Sequence, residues 1–298
     1  MGAPPLVSII IPTYNAERWI QETVDSALAQ TYSRIEIVAV DDGSKDRTRA
    51  ILSSFKDHIH VIENSVNQGV SGARNKAIEY SKGSYIAFLD HDDLWHPNKL
   101  TKQMALFDRT PALGLVYSDA FYQTSTQKRW RSFQVNRPFR GNVFENLLLQ
   151  NFILCLTAVI PRKILEQVGG FRPDFHTCED YDLFLRIAEH FPIDYADDPL
   201  VTYRVHDQNF SRHLEVRYGE WLQILERYTR RPGVPGLKAM VSVRWGLEMG
   251  HSDGQRMKGM LRVLYGILTG LKDPKGFYTA FREAWRQKQS TREIQTVA

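Results

Sequence analysis

Three carboxylates fall within four positions at the end of an apolar stretch. The stretch Ser84–Leu89 is rich in β-forming side chains, and Asp90, Asp92 and Asp93 follow it. An apolar run of this length with little polar alternation is typical of a strand buried on both faces. Carboxylates this close together repel one another unless a cation or a proton offsets their charge. The pattern fits a Mg²⁺ or Mn²⁺ site shared with a phosphorylated substrate, and it also fits an acidic turn that caps a helix.

Two earlier apolar runs also end in polar residues. They are Val7–Ile11, which stops at Pro12 and is followed by Tyr14 and Asn15, and Ile35–Val40, followed by Asp41 and Asp42. Helical patterns separate the runs, which predicts βαβ units and a mostly parallel sheet. Because crossovers between parallel strands are right-handed, the three polar clusters should meet at one edge of the sheet. Ligands bind at this edge in open α/β sheets.

A second acidic cluster opens a later apolar helix. It comprises Glu179, Asp180 and Asp182. Acidic residues complement the positive end of a helix dipole, and capping needs only one of them. The surplus favours a second interpretation, in which one carboxylate is a general base aimed into the site.

One histidine stands just after a strand-like segment. His206 follows the sequence LVTYRV, and Asn209, Ser211 and Arg212 lie close behind it. A lone histidine is more often structural than a ligand. Its position beside basic and hydroxyl side chains favours contact with phosphate or metal.

Composition and missing motifs exclude several classes of protein. The chain has 298 residues, 43% of them hydrophobic and 24% charged, which is ordinary for a water-soluble globular protein. Its glycines form neither G-x-G-x-x-G nor G-x-x-x-x-G-K-[ST], which argues against a dinucleotide dehydrogenase and a phosphate-loop enzyme. The two cysteines form no disulfide framework and no zinc pattern. These features predict a cytoplasmic protein without a nucleic-acid partner.

Seven motifs in a fixed order resemble one family of enzymes. They are VSIIIPTYN at 7–15, VDDGSKD at 40–46, NQGVSGARNKAI at 67–78, FLDHDD at 88–93, GGF at 169–171, EDYD at 179–182 and YRVH at 203–206. The chain resembles glycosyltransferase family 2, whose catalytic domain has the GT-A fold. The resemblance covers about residues 5–212. It implies an α/β fold with a mostly parallel sheet flanked by helices, with the catalytic domain at 1–214 and a helical appendage at 215–298.

The resemblance also implies roles for individual residues. The nucleotide-binding set is Pro12, Tyr14, Asn15, Asp42, Arg74, Asp90 and Asp92, the metal set is Asp92, Asp93 and His206, and the catalytic pair is Asp180 with Glu179. Tyr14 would stack on the base, Asp42 would accept its N–H, and Mn²⁺ or Mg²⁺ would hold the diphosphate. Asp180 would be the general base.

The implied function is non-processive, inverting transfer of a sugar. The expected donor is a UDP-sugar, and the expected acceptor is a hydroxyl of a glycan or a lipid-linked molecule. The resemblance places this reaction in cell-surface polysaccharide or glycan biosynthesis. The Gln-x-x-Arg-Trp signature of processive synthases is absent from the sequence. A second hypothesis is a non-catalytic, nucleotide-binding subunit of a polysaccharide-assembly complex.

The tail carries most of the positive charge. Residues 215–298 hold 15 Lys and Arg against 8 Asp and Glu. Apolar stripes at helical spacing lie in Gly259–Leu271 and in Gly276–Gln289, where Phe277, Phe281 and Trp285 recur every four residues. Basic amphipathic helices with aromatic anchors are typical of peripheral binding to a membrane, here its inner face. The same stripes could instead pack on one another, on the catalytic domain or on a partner.

Overall fold

The computed structural model describes residues 3–207, 209, 213–249 and 256–297, without the side chains of 256 and 287–297. Ser211, Arg212 and Lys288, which entered the sequence argument, therefore lie outside the described side chains. The chain divides into two compact units, one formed by residues 1–147 and 151–207 and the other by 148–150 and 208–298. The boundary after residue 214 stays a prediction.

A mixed sheet forms the centre of the first unit. Within the described residues its strands are β1 (Val7–Thr13), β2 (Ile35–Asp41), β3 (His60–Glu63), β4 (Tyr85–Phe88), β5 (Leu94–Trp95), β6 (Leu115–Thr124), β7 (Arg129–Arg131), β8 (Val159–Pro161) and β9 (Ile193–Val205). Their order is β3-β2-β1-β4-β8-β6-β9-β5, with β7 paired to β6. The longest ladders, β1 with β2 and β6 with β9, are parallel, whereas β8 enters the sheet antiparallel to both neighbours. The predicted α/β fold class is confirmed.

Helices connect these strands. They are α1 (Ile20–Leu28), α2 (Thr48–Ser53), α3 (Gly69–Tyr80), α4 (Lys99–Arg109), α5 (Ser132–Val135), α6 (Phe144–Leu149), α7 (Arg162–Val168) and α8 (Glu179–Ala188). Helix α1 shows how they are held: Ile20, Val24 and Ala27 recur on one face and are wholly buried in the core. Burial of each large apolar side chain contributes about 1.5–3 kcal/mol.

Strand β1 continues past Pro12 to Thr13, so the predicted end at Pro12 is wrong. Proline lacks the N–H that a ladder needs, which is why it usually ends a strand. Here the partner strand β4 pairs with β1 only up to Ile10, and the backbone oxygen of Pro12 meets the ring of His91 instead. The missing N–H thus faces the side on which β4 has already ended. Pro12 still aligns with Val40 of β2.

The second unit is helical where it is described. Its helices are α9 (Leu214–Glu226), α10 (Val234–Met249), α11 (Arg256–Gly270) and α12 (Pro274–Val297). Sequence periodicity did not reveal α10, because this helix is apolar on most of its circumference and is largely buried. No helix among the described residues combines the length and the apolar character needed to cross a bilayer.

Candidate active site

The polar clusters that follow β1, β2 and β4 lie at one edge of the sheet. Thr13 aligns with Asp41 in the parallel ladder of β1 and β2, and Ile10 aligns with Phe88 in that of β1 and β4. Since β1 lies between β2 and β4 and all three run in the same direction, the residues after their carboxyl ends leave the sheet at one edge. This arrangement agrees with the convergence that the sequence predicts.

The loop after β1 exposes an aromatic ring. Tyr14 is 41% exposed, while its neighbour Asn15 adopts a positive φ of 48°. Two hydrogen bonds hold Asn15 in that conformation: its N–H donates to Ser44 Oγ at 2.9 Å, and its Oδ1 accepts from Lys45 N at 2.8 Å. A fixed loop with an exposed ring suits stacking on a planar ligand.

Two buried aspartates, Asp41 at the end of β2 and Asp42 directly after it, fasten neighbouring segments. Asp42 accepts from Asn64 Nδ2 at 2.7 Å and from the backbone N–H of Gln68, where α3 begins. Asp41 accepts from Arg49 Nε at 2.7 Å through Oδ2, whereas its Oδ1 is buried without a partner among the described residues. Asp42 thus has a structural role besides its predicted contact with a base.

Arg74 connects the two acidic clusters. Its guanidinium, only 2% exposed, donates to Asp90 Oδ1 at 2.6 Å and to Glu179 Oε1 at 2.7 Å. Burial raises the pKa of Glu179, although the charge of Arg74 opposes that rise. The residue predicted to line the nucleotide site therefore joins the end of β4 to the start of α8.

Asp180 follows Glu179 and, like Glu179, whose Oε2 is buried, has one carboxylate oxygen without a hydrogen bond among the described residues. Its Oδ1 accepts from the N–H of Tyr181 at 2.6 Å and from Asn151 Nδ2 at 3.4 Å, whereas Oδ2 has no hydrogen-bond partner among the described residues. Burial, and secondly the charge of Glu179, raise the pKa of Asp180 to about 8. A carboxylate with such a pKa and an unbonded oxygen is suited to accept a proton from a hydroxyl.

Asp92 and His206 meet at the same edge. Asp92 Oδ2 and His206 Nε2 lie 2.9 Å apart. Burial alone would raise the pKa of Asp92, but hydrogen bonding to His206 and the nearby imidazoles outweigh it and lower that pKa. The ring of His206 stacks on Trp19, with centroids 5.7 Å apart, and the guanidinium of Arg204 lies 4.8 Å from the Trp19 centroid. This stack fixes the orientation of the imidazole.

Asp93 is more deeply buried than its neighbours. It is 1% exposed, and its Oδ1 accepts from the backbone N–H of Arg204 at 2.7 Å. Its Oδ2 has no partner among the described residues. Burial, together with the charges of Asp92 and Asp90, raises the pKa of Asp93 well above its usual range. Asp93 therefore also ties β9 to the loop after β4.

The donor set at Asp92 and His206 fits a divalent cation. In octahedral coordination at 2.0–2.1 Å, adjacent ligand atoms are about 3 Å apart, which matches the observed spacing of Oδ2 and Nε2. No group of three metal-ligating side chains occurs within the described residues. One or two carboxylates completed by substrate phosphates is a usual arrangement for Mg²⁺ in nucleotide sites.

Comparison with known proteins identifies the family. The model of Glycosyl transferase family 2 matches residues 8–169. An uncharacterised glycosyltransferase of Rickettsia prowazekii is 35% identical over 292 residues, which cover 93% of this chain and 88% of the relative. The chain belongs to glycosyl transferase family 2.

One further relative and two solved structures have names that specify substrates or ligands. A β-1,3-glucosyltransferase of Escherichia coli, WfgD, is 37% identical over 186 residues, or 62% of this chain and 70% of that protein, and its name specifies UDP-glucose and a diphosphoundecaprenol-linked acceptor. Among solved structures, S. aureus TarS with UDP has a TM-score of 0.60 at 18% identity, covering 95% of this chain and 91% of that one. The mannosyltransferase PcManGT of Pyrobaculum calidifontis, with GDP-Man and Mn²⁺, also has a TM-score of 0.60 at 18% identity, covering 92% and 88%. These two likenesses show that this chain shares the overall fold of TarS and PcManGT.

The geometry sorts the predicted site residues of this glycosyltransferase into connected groups. Arg74 joins Asp90 to Glu179, and Asp92 contacts His206. Tyr14 and Asn15 border the same sheet edge, and their side chains form no hydrogen bond or ion pair with either group among the described residues. Sequence reasoning missed Trp19 and Arg204, which support His206. An Arg two positions before the histidine and a Trp in the loop after β1 were the available signals.

Proposed function

We propose that this chain is a non-processive, inverting glycosyltransferase that transfers a sugar from a UDP-sugar to a hydroxyl of a lipid-linked glycan acceptor with the help of Mn²⁺ or Mg²⁺. UDP is favoured by TarS, which was solved with UDP, and by WfgD, whose donor is UDP-glucose. A lipid-linked acceptor is favoured by the name of WfgD, and such an acceptor fits a role in cell-surface polysaccharide synthesis.

The observation that carries this proposal is the salt-bridge network of Arg74. Because one buried guanidinium contacts both Asp90 and Glu179, the proposed donor side and the proposed base are neighbours. Asp180 follows Glu179 directly and keeps Oδ2 available among the described residues. The loop that binds the donor and the general base that activates the acceptor must lie close together, so that the acceptor hydroxyl can reach the donor sugar.

The proposed donor site consists of side chains at the sheet edge. Tyr14 would stack on the uracil ring, positioned by Pro12 near the end of β1 and by Asn15 in the loop that follows. Asp42 would accept a hydrogen bond from the N–H of the base. Asp90 would bind the ribose, held in place by Arg74. Asp92 and His206 would hold the cation, which neutralises negative charge on the departing diphosphate when it is bound. Asp93 would also contribute to cation binding, through its buried Oδ2.

The reaction then follows from the position of Asp180. Its carboxylate would take the proton of the acceptor hydroxyl while that oxygen attacks the anomeric carbon. The bond from that carbon to the nucleotide oxygen breaks as the new glycosidic bond forms. Attack from the face opposite the nucleotide inverts the configuration, so an α-linked donor gives a β-glycoside. Glu179 would act as a partner of Arg74 that keeps α8 in place.

A donor screen tests the proposal. The full chain is incubated with UDP-, GDP- and dTDP-sugars, each with and without Mn²⁺, and both thermal shift and nucleotide release are recorded. We expect a UDP-sugar with Mn²⁺ to give the largest stabilisation and nucleotide release, because specific binding raises apparent stability by mass action. Equal shifts for all three nucleotides, or none, would contradict the proposed donor.

Asp92→Asn tests the cation site separately. The variant keeps the size of the side chain but loses the charge that would hold the cation, so we expect UDP to stabilise it equally with and without Mn²⁺. Asp57→Asn is the matched control, because Asp57 is exposed and its side chain forms no hydrogen bond or ion pair among the described residues, and it should respond to Mn²⁺ as the wild type does. An undiminished Mn²⁺ response in Asp92→Asn would refute the assignment.

A further inference from the structure

Helix α11 packs on α10 through glycines. A Cβ atom added to Gly246 of α10 would lie 2.4 Å from the backbone oxygen of Gly259, and one added to Gly266 of α11 would lie 2.6 Å from the backbone oxygen of Ala239. Side chains cannot occupy such spaces, so the two helices approach as closely as they do only because glycine stands at both positions. The buried face of α11 is thus made of its smallest residues.

The opposite face of α11 carries the large apolar side chains. Met257, Met260, Leu261, Leu264, Tyr265, Ile267, Leu268 and Leu271 are all exposed, from 46% for Ile267 to 73% for Met257. On a helix with 3.6 residues per turn these positions form one continuous arc of roughly 160°. A surface helix in water normally turns this arc toward the core. Helix α11 instead turns this arc toward solvent, and its contact with α10 is made on the glycine side.

Basic residues border one side of this arc. Lys258 and Arg262 follow it around the helix, and Lys272 stands at its end. The guanidinium of Arg262 is held 3.1 Å from the centroid of Trp245, so its position is fixed beside the apolar arc. The order around the helix is therefore large apolar, then basic, then glycine.

Helix α12 repeats this order. Tyr278, Phe281 and Trp285 share one exposed face, whereas Phe277, one of the three aromatic residues predicted to form the stripe, turns inward to Gly270. Lys275, Arg282 and Arg286 border the exposed aromatic face on the corresponding side and are exposed as well. Between residues 257 and 286 the acidic side chains are Asp273 and Glu283.

We propose that the exposed apolar face of α11 and the exposed aromatic face of α12 dock in the interface of an anionic bilayer. Apolar side chains would enter the boundary of the acyl chains, and the bordering lysines and arginines would contact anionic headgroups. A second copy of the chain fits less well, because these faces carry few acidic side chains that could pair with the basic border of a partner. The proposal goes beyond sugar transfer, since neither Asp180 nor the donor site takes part in it.

Vesicle flotation of the full chain tests the proposal. Wild-type protein should float with vesicles of phosphatidylglycerol and phosphatidylcholine, float weakly with phosphatidylcholine alone, and lose binding as salt rises. Leu268→Glu should lower the partition coefficient by at least about tenfold, since it places a charge in the centre of the apolar arc. The matched control is Val66→Glu, which puts the same charge on a residue of the first unit that is 69% exposed, against 65% for Leu268. It should bind as the wild type does.

A second variant and a second readout separate the alternatives. Lys258→Glu with Lys272→Glu should weaken binding to the anionic vesicles selectively. Thermal stabilisation by UDP should be unchanged in Leu268→Glu, which shows that the variant is folded and separates this test from that of the donor. Wild-type protein that does not float, or a Leu268→Glu variant that floats equally, would overturn the proposal. So would a wild-type dimer that Leu268→Glu makes monomeric while neither protein floats.

Discussion

At the scale of single residues, the chemistry depends on the ionisation of Asp180. Burial and Glu179 raise its pKa to about 8, and the charged or titratable groups around it are Glu179 on its own helix, Arg74 on α3, Asp90 after β4 and the buried Cys155. A general base must be ionised before it can accept a proton. We therefore expect kcat/KM to rise with pH through about 8 and then level off, because kcat/KM reports the free enzyme. A profile that is flat between pH 6 and pH 9 would contradict this role for Asp180.

The same shift predicts how stability depends on pH. An aspartate that ionises near 4 when unfolded but only at about 8 when folded binds more protons in the folded state between these values. The free energy of unfolding contributed by this group is therefore greatest at low pH and declines as pH rises from 4 to 8. Asp180→Asn cannot ionise at this position. As pH rises from 4 to 8, its melting temperature should therefore increase relative to that of the wild type. An unchanged difference would show that Asp180 titrates normally.

The residue scale also marks the limit of sequence reasoning. The positions of Tyr14, Asp42 and Asp90 after three apolar runs were sufficient to predict a site at one sheet edge. The burial of Asp42 and Asp93 was not predictable, because their partners, Gln68 and the backbone of Arg204, are far away in the sequence. Both aspartates fasten loops in addition to their proposed contacts with ligand.

At the scale of elements, Arg74 holds the carboxyl end of β4 against the start of α8. Removing one member of a buried ion pair leaves its partners charged and desolvated, which costs about 3–5 kcal/mol. Arg74→Met should therefore lower the free energy of unfolding by about this amount. The control Arg47→Met breaks an ion pair with Glu17 whose side chains are 83% and 40% exposed, and it should change stability by at most about 1 kcal/mol.

Urea denaturation of both variants and the wild type provides the measurement. The account predicts a much lower midpoint for Arg74→Met than for Arg47→Met. If the two variants unfold at the same midpoint, Arg74 does not join these elements energetically.

Element prediction from sequence succeeded where periodicity was strong. The apolar runs at 7–11, 35–40 and 84–89 form β1, β2 and β4, with ends that differ from the runs by one or two residues. It failed where a neighbour decides the structure. Pro12 stays within β1 because β4 ends early, and α10 lacks a polar face because other helices cover it.

At the scale of the whole molecule, chemistry and charge are divided between two units. The proposed donor site and base belong to the first unit, which the family model matches in large part. The second unit carries the exposed apolar faces of α11 and α12 and most of the excess positive charge. This division predicts that changes at Leu268 alter vesicle binding without altering donor binding.

The measurement that tests the central claim most directly is the turnover of Asp180→Asn. Asn keeps the size of the side chain and can still accept from the N–H of Tyr181, but it cannot take up the proton. With a UDP-sugar and Mn²⁺, the account predicts thermal stabilisation by the donor close to that of the wild type and a kcat lower by about 10²-fold or more. Asp57→Asn should match the wild type in both readouts. Near wild-type turnover in Asp180→Asn, with donor binding intact, would contradict the account.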